Sequence, residues 1–269
     1  MNDRLNQWRA PAHWQAVDFI ADLHLHAADP ATFAAFCRYL DTPADQRGDA
    51  LFILGDLFEV WVGDDALTAP PEGERAFLQD CAHRLSAFAA HTPVFFMAGN
   101  RDFLLGTAGL EACGMTGLAD PTRLEWAGQP WLLSHGDALC IDDHDYQRFR
   151  AEVRSARWQT AFLVRPLADR EAFARDLRAR SEARKREHGL DAALWADVDS
   201  ATAREWLAAA GSRHLIHGHT HRPARHDLGG GCERWVLSDW DAGAHPPRAE
   251  VLRLRADSVQ RLSLFPDGG

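Results

Sequence analysis

The sequence predicts an α/β fold in which helices and sheets are layered around one core. Three observations predict it. Five short apolar runs are too brief for helices and apolar enough to be buried strands. Each is followed at once by Gly or Ala with Asp, Asn or His, as in strands that end at a shared working rim. Segments with helical spacing of apolar residues lie between them.

The first strand candidate is Val17-Asp18-Phe19-Ile20, followed by Asp22 and His24. The second, residues 50–54, is followed by Asp56, and the third, residues 94–97, by Asn100. The fourth, Trp131-Leu132-Leu133, is followed by His135, and the fifth, His214-Leu215-Ile216, by His217 and His219. Residues 30–40 have Pro30 at their start and apolar residues at helical spacing. Gly73 to Ala90 repeats that pattern around Phe77, Leu78, Cys81, Leu85 and Phe88. Beyond Leu124 the chain turns β-rich, with further strands expected at 123–126, 234–237, 249–254 and 259–264.

Residues 144–210 differ. They are helical in pattern throughout and fall between the fourth and fifth ligand-bearing strands, so they are expected to form an insertion, or cap, within a single domain spanning 1–269. From His144 to His188 there are twelve basic and seven acidic residues, a net +5 inside an acidic chain. Phe149, Trp158, Phe162 and Leu163 are interleaved with these arginines. A solvated pair of charged helices would have this composition. The sharper expectation is a cover whose arginines meet an anionic headgroup while its apolar residues meet lipid.

Composition narrows the classes. The 269 residues are 46% hydrophobic, enough for one substantial core, and no apolar run is long enough to span a membrane. Residues 1–15 lack the apolar stretch of a signal peptide. Five cysteines without a C-x-x-C pair read as reduced thiols in a cytosolic setting. A formal net charge of -10 argues against a nucleic-acid partner.

The chemistry lies after the strands. In Asp22-Leu23-His24 and His217-Gly218-His219-Thr220-His221, alternation in an extended chain sends every second side chain to one face. Taken singly, each residue has an ordinary alternative: an Asp as a helix cap, a histidine merely hydrogen-bonded, a His-rich surface loop. Together Asp22, His24, Asp56, Asn100, His135, His217 and His219 are too many ligands for one ion. They contain no thiolate, which disfavours a structural zinc site, and suit Mn²⁺, with Fe, Co or Zn as alternatives. Two ions about 3.5–4 Å apart, bridged by the Asp56 carboxylate, would activate a water and clamp a phosphoryl group.

These blocks resemble the calcineurin-like metallophosphoesterases, which implies an αββα sandwich. Most members carry Gly-Asn-His at the third block, where this chain has Gly99-Asn100-Arg101-Asp102. That departure narrows the likeness. Residues 54–65, 99–106 and 135–143, with Tyr146-Gln147-Arg148-Phe149-Arg150 and Ile216 to Pro223, are similar to the UDP-2,3-diacylglucosamine pyrophosphatases of lipid A biosynthesis. The resemblance implies two Mn²⁺ ions, one held by Asp22, His24, Asp56 and His219, the other by Asp56, Asn100, His135 and His217. It implies Asp56 and Arg101 in catalysis, and substrate contacts from Asn100, Arg101, Asp143, Ser181 and His217. Lys185 and His188 stand where the family has further polar contacts. No metal role attaches to His221.

The expected reaction is attack of metal-activated water on the α-phosphorus of UDP-2,3-diacylglucosamine, giving UMP and 2,3-diacylglucosamine 1-phosphate. The expected setting is the cytoplasmic face of the inner membrane, bound peripherally to lipid, with no obligate protein partner. Two other readings compete: a metallophosphoesterase acting on a soluble nucleotide or phosphoprotein, and a metal-free binding scaffold. The intact ligand set argues against the second.

Overall fold

Two six-stranded sheets face each other in the computed structural model, which describes residues 5–187 and 197–265, the side chains of 180–187 excepted. The first sheet has the order β1 (Asn6–Arg9), β6 (Thr122–Trp126), β7 (Gln129–Ser134), β8 (His214–His217), β10 (Cys232–Val236) and β9 (Ala224–Gly229). The second has the order β12 (Val259–Ser263), β11 (Glu250–Arg255), β2 (Ala16–Ile20), β3 (Ala50–Leu54), β4 (Val94–Met97) and β5 (Met115–Leu118).

Continuous apolar strands are needed because both faces of each sheet are covered. In β3 all five residues are buried. Ala50, Phe52 and Leu54 enter the core between the sheets, where Leu124, Trp126, Leu133 and Ile216 oppose them. Leu51 and Ile53 face the other way, against Phe36 and Tyr39 of α1 (Pro30–Leu40) and Leu78, Cys81 and Leu85 of α2 (Glu74–Ala89). On the far side, Ala203, Leu207 and Ala210 of α7 (Ser200–Ala210) pack on Leu132 and Leu215. The result is the αββα sandwich.

β2, β3, β4 and β5 run parallel, as do β7 and β8, so their carboxyl ends gather in two rows. Backbone hydrogen bonds join the turns beyond them: Asp22 N to Gly55 O, His24 N to Asp56 O and Gly218 N to His135 O. Elements with weaker periodicity were absent from the sequence expectations: β1, β5, β9 and α3 (Thr107–Cys113). In β1, Trp8 stacks on Trp14 and meets Phe95 edge-on, so aromatic contact secures a short strand of mostly polar residues.

The expected insertion divides. α4 (His144–Val153), α5 (Ala156–Leu163) and α6 (Leu167–Glu187) lie outside the four layers, whereas α7 is itself the outer layer beside β7 and β8. Its apolar stripe is the physical reason. The segment reaching beyond the sandwich therefore ends before residue 200.

Candidate metal centre

The predicted ligands reach the centre through backbone turns rather than extended chain. β2 ends at Ile20 and β8 at His217. Beyond those ends Asp22, His24, Asp56, His219 and His221 all adopt positive φ, five of the six non-glycine residues that do so among those described. Left-handed backbone is costly for such residues and clusters at functional sites. Glycines make the approach possible. A Cβ on Gly99 would stand 2.1 Å from Asp56 Oδ1, and one on Gly218 would stand 2.4 Å from Asp22 Oδ2.

Asp56 sits between two groups. Its Oδ2 lies 3.9 Å from His24 Nε2 and its Oδ1 lies 3.8 Å from His135 Nε2. Around His24, the His221 Nε2 atom is 3.3 Å from His24 Nε2 and 3.5 Å from Asp22 Oδ1. Around His135, the Asn100 Oδ1 atom is 3.1 Å from His135 Nε2 and 2.9 Å from His219 Nδ1. Ligand atoms of Asp22, His24 and His221 lie within 4.8 Å of one another, as do those of Asp22, Asp56 and His135.

This corrects the expected register of the histidines. His217 ends β8 and is fully buried, with Nδ1 2.8 Å from Gly218 O and Nε2 3.3 Å from Arg234 Nη1. Its ring is thus engaged by Gly218 and Arg234 rather than by Asp22 or Asp56. His219 takes the place beside Asn100 and His135 expected for His217, and His221 takes the place beside Asp22 and His24 expected for His219. The cause is the backbone: alternation holds only along an extended strand, and this strand stops at His217.

Electrostatics favour cation binding. Asp22 and Asp56 are buried, and Asp22 Oδ1 has no hydrogen-bond partner, an expensive state for a carboxylate oxygen without a cation. Burial alone would lower the His135 pKa, but the Asp56, Asp137 and Asp22 carboxylates outweigh it and raise it to about 9. Burial, with the His135 charge, lowers His219 to about 4, leaving a neutral ring suited to ligation. Buried carboxylates, an amide oxygen and imidazoles, with the proton on His135 exchanged for the cation, fit divalent ions of borderline character.

Three carboxylates around the ligands escaped the sequence reading as functional groups. Asp102 is wholly buried and accepts from the backbone N–H groups of Asp56, Leu57, Phe58 and Gly99, tying the second and third turns together. Asp137 accepts from the Tyr146 hydroxyl at 2.7 Å and from Arg150 Nε at 2.8 Å, and Tyr146 stacks on His219. Glu59 Oε2 lies 3.2 Å from His24 Nδ1, an ionic approach too misaligned for a hydrogen bond, since Nδ1 has no hydrogen-bond partner. Burial would raise the Glu59 pKa, yet His24, Arg101 and Arg178 hold it down to about 2. The sequence signal was membership in the Asp56, Asn100 and His135 blocks.

The remaining predicted residues disperse. Arg101 donates its backbone N–H to Asp56 Oδ1 at 2.8 Å, and its guanidinium is partly exposed beside Glu59. Asp143 caps α4 by accepting from Tyr146 N at 2.9 Å. The side chains of Ser181 and Lys185, and the whole of His188, lie outside the described residues.

Buried carboxylates and histidines on the turns of two facing sheets define a metal-dependent phosphoesterase. A model of the calcineurin-like phosphoesterase family matches residues 16–223, and the chain belongs to that family. It is 52% identical to the UDP-2,3-diacylglucosamine hydrolase of Chromobacterium violaceum, the match covering 93% of this chain and 99% of the relative. Enzymes of the same name from Xanthomonas oryzae pv. oryzae and Bordetella pertussis are 44% and 41% identical, over 90% and 92% of this chain and 96% and 94% of their own.

Proposed function

We propose that the protein hydrolyses the pyrophosphate of UDP-2,3-diacylglucosamine to UMP and 2,3-diacylglucosamine 1-phosphate, using two divalent cations held on either side of Asp56. One observation carries the substrate: 52% identity, over 93% of this chain, to a UDP-2,3-diacylglucosamine hydrolase. Asp22, His24, Asp56 and His221 would hold one ion, and Asp56, Asn100, His135 and His219 the other. Mn²⁺ suits this mixture of oxygen and imidazole donors.

When bound, such a pair lowers the pKa of a water and withdraws charge from phosphoryl oxygens. The chain's own groups do the rest. Arg101 N–H fixes one oxygen of Asp56, and the Arg101 guanidinium offers a permanent forked cation to a phosphate. Asn100 is held between His135 and His219, so its amide is oriented before substrate arrives. Attack at the α-phosphorus makes the sugar phosphate the leaving group. A phosphate monoester departs without strong need of an acid, which agrees with arginine standing where relatives of the wider family have histidine.

The acyl chains give a purpose to the apolar residues around α4 and α5. Ile141, Phe149, Leu163 and Val164 are the large hydrophobic side chains exposed among the described residues, and Arg148 and Arg165 adjoin Phe149 and Val164 in sequence. These apolar and basic pairs suit an anionic lipid surface, here the cytoplasmic face of the inner membrane, with the protein bound peripherally. No helix among the described residues is long and apolar enough to cross a membrane.

The test is hydrolysis of UDP-2,3-diacylglucosamine in ¹⁸O water by protein stripped of metal and then given Mn²⁺. Label is expected in UMP. Label in the lipid phosphate would sink attack at the α-phosphorus, and absence of any Mn²⁺-dependent product would sink the substrate assignment.

A further inference from the structure

Glu59 is three residues beyond Asp56, only 11% exposed, and faces one imidazole and two guanidinium groups at once. Its Oε2 meets His24 Nδ1 at 3.2 Å, while its Oε1 lies 3.5 Å from Arg101 Nη1 and 3.5 Å from Arg178 Nε. His24 and Arg101 belong to the reaction centre, but Arg178 belongs to α6. One carboxylate therefore joins the centre to the segment outside the sandwich.

The loop carrying Glu59 is fastened at both ends to those same elements. Glu59 N donates to Leu25 O at 3.1 Å, next to His24, and Trp61 N donates to Arg101 O at 3.2 Å. Further along α6, Arg170 is only 2% exposed. It donates to Val62 O and pairs through both terminal nitrogens with Asp65. Gly63 is the residue that admits it, since a Cβ there would lie 2.2 Å from Arg170 Nη1. Arg170 and Arg178 are two helical turns apart, so one face of α6 grips residues 59–65 at two points.

We propose that Glu59 is a positioning residue that orients His24 and holds Arg101, with Arg178 of α6 as the cation that remains when a phosphate takes Arg101. The two arginines on one oxygen give the physical reason. A buried carboxylate stripped of its only partner is strongly destabilised. With Arg178 in place, Arg101 can exchange Glu59 for a substrate phosphate without leaving that carboxylate alone. The orienting of His24 would follow the general pattern in which a metal-binding imidazole donates its other N–H to a carboxylate that fixes its ring. Glu59 Oε2 and His24 Nδ1 already lie 3.2 Å apart, and a small rotation of the ring turns this approach into that hydrogen bond. This inference rests on the reading of His24 as a metal ligand and Arg101 as a phosphate contact.

Three variants test it: Glu59→Gln, Arg178→Gln and Glu59→Gln in an Arg101→Ala background. Mn²⁺ affinity is measured by calorimetry on metal-free protein without substrate, and KM and kcat on UDP-2,3-diacylglucosamine. Glu59→Gln is expected to weaken Mn²⁺ binding by roughly 10–100-fold. Arg178→Gln is expected to leave Mn²⁺ affinity unchanged and raise KM. The turnover loss from Glu59→Gln should shrink in the Arg101→Ala background, since its target is already gone. Wild-type Mn²⁺ affinity in Glu59→Gln, or an undiminished loss in the Arg101→Ala background, would overturn the proposal. Should Glu59→Gln fail to fold, the half-exposed Arg178 still decides it: an Arg178→Gln variant with unchanged KM refutes the hand-over. A wild-type protein that binds Mn²⁺ but leaves UDP-2,3-diacylglucosamine intact overturns the substrate assignment instead, and the Mn²⁺ comparison still decides the orienting of His24.

Discussion

The turns at the sheet rim and the helices beyond them are held by different forces. In the rim, Asp22, Asp56, Asp102, His135 and His217 are buried, and backbone hydrogen bonds lock neighbouring turns together. In α4 to α6, Phe162 is buried in the core with Trp158, Leu167 and Phe173 packed beside it, but Phe149, Leu163 and Val164 stay exposed and arginines supply further clasps: Arg150 and Arg154 at Asp137, Arg170 at Asp65, Arg178 at Glu59. The difference teaches a division of labour. Chemistry that tolerates little displacement sits on over-determined backbone, while the proposed contact with a large amphipathic substrate falls to elements whose outer apolar surface is unpacked.

The largest expected effect comes from breaking the rim at its shared carboxylate. Asp56→Asn keeps the shape but removes the charge facing both His24 and His135. Turnover should fall roughly a thousandfold or more, since the proposed pair of ions would lose its common carboxylate. A steady-state assay with saturating Mn²⁺ checks this, and a loss under about tenfold would show that Asp56 bridges nothing.

Within one short motif the same comparison sharpens to two histidines. His221→Ala should lower Mn²⁺ affinity by about a hundredfold, at the upper end of what outer partners of ligands cost. His217→Ala should leave most Mn²⁺ affinity in place. It should instead cost about 1–3 kcal/mol of stability, because Arg234 loses a buried neighbour. Calorimetric Mn²⁺ titration beside thermal melting separates the two, and the opposite ranking would restore the register expected from sequence.

The fate of that motif shows what was legible. Strands were readable because burial on both faces demands continuous apolar runs, and Asp22, Asp56, Asn100 and His135 follow such runs directly. Positive φ at His219 and His221 has no signature in residue type, so the ligand roles fell to the first two imidazoles, His217 and His219, and none to His221. The roles of Glu59 and Asp137 were hidden for another reason. Each depends on an arginine from a helix outside the sandwich, Arg150 of α4 or Arg178 of α6, and charge in a surface-like helix ordinarily signifies only solvation.

A smaller effect is expected at the clasp between α4 and the rim. Burial would raise the Asp137 pKa, but His135, Arg150 and Arg154 overcome it and hold it well below the usual carboxylate range. A depressed folded-state value means stability fully present above the ordinary value of about 4 and lost as pH falls through the folded one. The melting temperature should therefore drop as pH is lowered below about 4. Asp137→Asn should flatten that drop and cost about 1–3 kcal/mol at neutral pH, through the Arg150 and Tyr146 partners it leaves. An acid limb as steep in Asp137→Asn as in wild type would assign the dependence to other carboxylates.

The smallest effect belongs to the most exposed tip of the outer helices. Val164 is 79% exposed and Leu163 41% exposed, at the end of α5, with Leu163 Cδ2 beside Gly63. Replacing both with serine removes mostly exposed apolar surface, so the melting temperature should fall by no more than a few degrees. Binding to vesicles containing anionic lipid should weaken by about tenfold, since full insertion of each side chain contributes about 1.5–3 kcal/mol and these insert only in part. Turnover of substrate dispersed in detergent should be unchanged, because no link in the chain from α6 through Glu59 to His24 and Arg101 passes through them. Unchanged vesicle binding would remove this tip from the lipid surface. A matching loss in detergent would mean that the tip contacts the acyl chains of the substrate itself, and the clean separation between rim and outer helices would not hold.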